Sequence, residues 1–108
     1  MSLENDLPRL LRDLKAALKA VYGESLRGVF LYGSYARGDY DRESDIDILV
    51  VLDDFASYGR EVDRTAHPVA DLSLRWNVSI SLVFVRHHDW ISGDSLFLRT
   101  VREEAVAA

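Results

Sequence analysis

The sequence predicts an α/β (α+β) fold, one mixed sheet of three or four strands with helices packed mainly on one face. Three runs rich in β-branched and aromatic residues, Leu26–Tyr32, Asp45–Leu52 and Val78–Val85, alternate with segments whose apolar residues recur at three- and four-residue steps. The middle run is apolar on both faces beyond Asp47, the pattern of a strand covered on both sides or nearly so. A chain of 108 residues, 48% hydrophobic and 29% charged, is one domain, residues 1–108, around one core; that balance excludes a disordered chain.

Glu4 to Val21 reads as the first helix. Leu7, Leu10, Leu11, Leu14, Leu18 and Val21 form one apolar stripe. Asp6 before Pro8 fits its first turn, where proline is tolerated, and Gly23 fits its stop. Leu26 to Tyr32 is a strand that delivers the chain to Gly33-Ser34, and Tyr35–Gly38 reads as a short helical turn. Asp39 to Ser44 is a polar loop. The next strand runs from Asp45 to Leu52, with Asp45, Asp47, Leu49 and Val51 on one face and Ile46, Ile48, Val50 and Leu52 on the other. A helical segment follows from Tyr58 to Trp76, with Pro68 expected to break or kink it. Val78–Val85 is the third strand, with Ser79, Ser81, Val83 and Val85 on one face. Arg86–Trp90 reads as a loop, and the last helix runs from Gly93 or Asp94 to Glu104.

Charge and composition narrow the function classes. The formal net charge is −5, the opposite of the basic face that nucleic-acid binders carry, so DNA binding is not expected. There is no cysteine, which excludes disulfides, thiolate metal sites and a cysteine nucleophile. The opening MSLENDLPRL is acidic and lacks the apolar core of a signal peptide. Ile48–Leu52 is far too short to span a bilayer. A cytoplasmic protein without membrane association is the expectation.

The chemistry concentrates in LYGSYARGDYDRESDIDILVVLDD. Gly33-Ser34 is followed by ten residues and then Asp45-Ile46-Asp47. Residues two apart in a strand share a face about 6–7 Å apart, so both carboxylates aim into one small volume. Mg²⁺ takes one or two carboxylates, waters and the oxygens of a substrate phosphate, and suits such a pair. The glycine allows a phosphate close to backbone, and N–H groups of the turn make an anion cradle. Arg37 reads equally as a phosphate contact or as a salt-bridge partner of Asp39, Asp41 or Glu43. Asp41 and Glu43 read as solvated loop acids. The bland alternative is a Gly-Ser turn before a solvated acidic strand entry. His87-His88-Asp89 forms one short cluster, whereas zinc sites need three or four suitably spaced ligands, so a surface loop is the better reading.

Gly33-Ser34, ten residues, Asp45-x-Asp47 resembles the signature of the polymerase-β-like nucleotidyltransferases, and GSYARGDYDRESDIDILV resembles their smallest branch, the minimal nucleotidyltransferases. The motif covers some fifteen residues; the similarity in element order runs through most of the chain. The resemblance implies a transferase that binds Mg²⁺ and ATP, with Asp45 and Asp47 as catalytic and metal-binding residues and Gly33, Ser34 and Arg37 as nucleotide-binding residues. It implies an acceptor hydroxyl on a protein, a tyrosine of a helical HEPN toxin to which this chain is the antitoxin. The wider superfamily places a third carboxylate on the third strand; here that face holds Ser79 and Ser81. Glu61, Asp63 and Asp71 are the candidate substitutes, and no feature of the sequence ranks them. The alternatives are an antitoxin that acts by binding alone and a small-molecule nucleotidyltransferase subunit.

Overall fold

The computed structural model describes residues 3–108; Met1 and Ser2 of the opening stretch lie outside them. Helix α1, Leu3–Tyr22, lays Leu10, Leu14, Leu18 and Tyr22 into the core. A short 3₁₀ turn, Gly23–Ser25, leads into strand β1, Leu26–Tyr32. Helix α2, Ser34–Arg37, is a single turn, and strand β2, Ile46–Leu52, follows the polar loop. Helix α3 is Tyr58–Trp76, strand β3 Ile80–Arg86, helix α4 His87–Ser92, helix α5 Leu96–Glu104 and strand β4 Val106–Ala107.

The sheet is mixed and four-stranded, in the order β3-β2-β1-β4. Strand β1 pairs antiparallel with β2 and β4, while β2 and β3 run parallel. The two long helices cover one face, packing Leu10, Leu14, Leu18 and Leu72 against Ile46, Ile48, Val50 and Leu52. The short α4 and α5 cover the other, where Trp90, Leu98 and Val101 meet Leu49, Val51 and Val85. The apolar alternation on both faces of β2 thus reflects a central strand buried from both sides.

Four elements depart from the sequence reading. Helix α3 runs unbroken through Pro68. An interior proline costs about 3 kcal/mol, but each buried large apolar side chain returns ~1.5–3 kcal/mol; those of α3 follow the proline, while the buried Glu61 and Thr65 precede it. Leu72 is buried there, with Val69 and Trp76 partly so. The C-terminal cap of α3 consumes the start of the expected third strand. Asn77 takes a left-handed conformation and Val78 N–H donates to the Ser73 carbonyl at 3.0 Å, so β3 opens two residues later, at Ile80.

Arg86–Trp90, expected as a loop, contributes most of α4. Its Trp90 ring packs on Phe30 of β1 at 4.9 Å, and that apolar anchor holds a helical turn over the sheet. Among the described residues no group of three or more histidines and carboxylates is placed to hold a metal ion. Strand β4 was not foreseen: two residues pair with Phe30 and Leu31, too few to show alternation. No described helix is long and apolar enough to cross a membrane.

Candidate active site

The site begins where β1 ends. Gly33 has φ 76° and ψ −155°, a region essentially reserved for glycine. A Cβ at this position would collide with the Asp47 carboxylate. The turn and the acid therefore touch, across the β1–β2 pair that sets Tyr32 opposite Asp47. The Gly33 carbonyl accepts from Ala36 N–H at 3.1 Å and Arg37 N–H at 3.0 Å, and Gly38 N–H closes the turn on the Ser34 carbonyl at 2.9 Å. Ser34 and Tyr35 open α2, where N–H groups have no intrahelical acceptor.

Strand alternation then aims the two aspartates. Ile46 and Ile48 are fully buried toward α1 and α3, so Asp45 and Asp47 project to the opposite, α5 side. Asp47 is partly buried, and Asp45, just before β2, is exposed. Burial first, and then the charge of Asp45, hold the Asp47 carboxyl above its ordinary range; Arg37 opposes this and Glu104 adds to it. Two hard oxygen donors crowded in this way fit a divalent cation, which would relieve their repulsion.

Arg37 resolves into salt bridges rather than a free cation. Its Nε lies 3.2 Å from Asp39 Oδ2, as one sequence reading held, and its Nη1 lies 3.1 Å from Glu104 Oε2. Glu104 is the site residue that sequence reasoning missed. It sits on the last turn of α5, and its Oε1 accepts from Gly33 N–H at 2.9 Å. Separated from Gly33 by 71 positions, it carries no local signal of this contact.

Of the remaining candidates among the described residues, Ser81 alone stands beside the pair, on β3. Ser81 stands in register with Asp47 on the neighbouring strand, the place where a third acid would face the pair. Ser79 precedes β3 and takes Ile46 N–H on its carbonyl at 2.8 Å. Glu61, Asp63 and Asp71 all lie on α3, across the sheet from Asp47. Glu61 is buried and accepts from the Tyr22 hydroxyl at 2.9 Å and from Arg64 at 3.2 Å; Asp71 pairs with Arg75. Asp41 caps its own loop, its Oδ1 accepting from Glu43 N–H at 2.8 Å. Tyr32, beside Asp47, has its phenol pushed up to about 12, by burial and then by the Asp47 charge, and stays protonated at neutral pH. A groove of ≈ 890 Å³, lined by Tyr35, Tyr40, Arg42, Ser44, Asn77 and Ser79 among others, adjoins the pair without including it.

Comparison with known proteins identifies the family. Two Methanocaldococcus jannaschii proteins, each named "Putative protein adenylyltransferase", are similar to the chain. MJ0141 is 28% identical over 81 residues, 75% of this chain and 81% of its own length; MJ0604 is 49% identical over 45 residues, 42% and 45% respectively. A crystal structure of a toxin-antitoxin with AMP-PNP superposes with a TM-score of 0.59 at 24% identity, over 96% of this chain and 70% of that one, which shows a shared fold. The family defined by the nucleotidyltransferase domain matches residues 11–97, a span that contains Gly33, Ser34, Asp45 and Asp47 and stops short of Glu104. The chain thus belongs to the nucleotidyltransferase domain family and is an enzyme of that class.

Proposed function

We propose that this nucleotidyltransferase moves AMP from Mg-ATP to a hydroxyl on a partner protein, a tyrosine of a helical HEPN-type toxin to which it is the antitoxin. The observation that carries the reading is the contact between Gly33 and the Asp47 carboxylate, which sets the Gly-Ser turn against one of the two strand aspartates. The names of the adenylyltransferase relatives and the toxin-antitoxin neighbour with its nucleotide analogue support the choice of nucleotide and partner. Asp45 and Asp47 would hold Mg²⁺, which when bound offsets charge on the phosphates. Ser34 hydroxyl and the N–H groups opening α2 hold the triphosphate tail, and Arg37 stands beside them. The acceptor oxygen forms a bond to the α-phosphorus, the α–β anhydride breaks, pyrophosphate leaves, and the acceptor proton passes to solvent or to an acid of the partner.

One observation favours a second reading, an antitoxin that silences its toxin by binding alone. Ser81 occupies the register position beside Asp47 and offers no carboxylate for the acceptor proton. Label transfer from α-labelled ATP to the purified partner separates the two. Transfer that vanishes in Asp47→Asn supports the enzyme; no transfer, with toxin still neutralised by Asp47→Asn protein, supports the silent antitoxin.

A further inference from the structure

Glu104 lies outside the span matched by the family, yet it touches the turn and the cation of the site at once. One oxygen takes the Gly33 N–H at 2.9 Å and the other takes Arg37 at 3.1 Å. Its side chain is only 20% exposed; its charge-assisted bond to Gly33 is partly buried, and the one to Arg37 lies at the surface. Two consequences follow from the geometry. The Gly33 N–H is already bonded, and so is not a free donor. Arg37 is held at the site from one side by Glu104 and from the other by Asp39, at 3.2 Å. The contact also ties the end of α5 to the turn, and the chain continues directly into β4, which pairs with Phe30 and Leu31 just before it.

We propose that Glu104 is a positioning residue for nucleotidyl transfer: its carboxylate bridges Gly33 N–H and Arg37, fixing the turn in its nucleotide-binding shape and aiming the guanidinium at the phosphate tail. It touches neither substrate nor metal itself. Glu104 acts like a strut that nucleotide leaves in place, and not like a plug that a phosphate must displace from the same donors. A strut and a plug make opposite predictions, because removing a strut weakens nucleotide binding and removing a plug strengthens it.

The experiment rests on the nucleotide reading above and measures Mg-ATP binding by calorimetry for wild type, Glu104→Ala, Glu104→Gln, Arg37→Ala and the Glu104→Ala/Arg37→Ala double variant, at a temperature where all are folded by circular dichroism. Glu104→Ala is expected to lose about ten-fold or more in affinity, since hydrogen bonds to charged groups are at stake. Glu104→Gln keeps an acceptor for Gly33 N–H and should recover part of that loss, which mere destabilisation of α5 would not produce. The double variant should lose less than the sum of the singles, because one bridge is removed twice. Unchanged or tighter binding by Glu104→Ala, with wild-type binding intact, overturns the positioning role. Failure of wild type to bind Mg-ATP overturns the nucleotide reading and, with it, this one. If Glu104→Ala is too unstable to titrate, Glu104→Gln decides alone: a loss of about two- to five-fold upholds the bridge, and none refutes it.

Discussion

Replacing Gly33 with alanine tests the site at its tightest point. Two costs combine. The backbone at φ 76°, ψ −155° lies in a region essentially closed to side chains, with strain of order 1–3 kcal/mol. The new Cβ also meets the Asp47 carboxylate, which must move off its position on β2. Gly38 supplies the control. Its φ of 86° and ψ of 9° are left-handed too, but a Cβ there meets nothing within 4 Å. Gly38→Ala should therefore cost ~1–2 kcal/mol from conformation alone. Gly33→Ala should cost roughly 3 kcal/mol, and only Gly33→Ala should displace Asp47 and weaken Mg-ATP binding. Urea denaturation gives the stabilities, and a nucleotide titration of the folded variants gives the affinities. Equal stability losses with equal, unchanged affinities would refute the reasoning, since the contact with Asp47 would then have no consequence.

Other expectations follow from the same geometry. The raised Asp47 carboxyl means that its ionisation opposes folding: the penalty is absent below the ordinary carboxylate range, where folded and unfolded chains are both protonated, and complete above the raised folded value. Asp47→Asn should accordingly raise the melting temperature of nucleotide-free protein at neutral pH, with the gain fading in acid, and should abolish the stabilisation that Mg-ATP gives wild type in the same melts; a variant less stable than wild type at neutral pH would count against it. Ser81→Asp sets a carboxylate in register with Asp47, and a placed base contributes about 10²–10⁴-fold, so label transfer should accelerate if proton removal limits the rate. Glu61→Ala leaves the buried Tyr22 hydroxyl without its acceptor and should cost ~1–3 kcal/mol by denaturation. Nucleotide affinity should be untouched, because α3 lies across the sheet; a selective loss of binding would return Glu61 to the site.

Local pattern determined most of this protein. The spacing of Leu10, Leu14 and Leu18 places α1, the double-sided apolar run Ile46–Leu52 makes β2 the central strand, and Asp45-x-Asp47 after a Gly-Ser turn marks the candidate site, because each signal lies within a few residues. Tertiary structure decided what sums over distant groups. Pro68 sits inside a continuous helix because a shared core outweighs one lost hydrogen bond, and α4 forms because Trp90 finds Phe30. Ser81 could be placed on a face from the sequence, but its register with Asp47 comes from parallel pairing between strands. Glu104 lay beyond any sequence rule: a glutamate near the end of an amphipathic helix looks solvated, and only the packing of α5 on the second face of the sheet carries its carboxylate to Gly33 and Arg37.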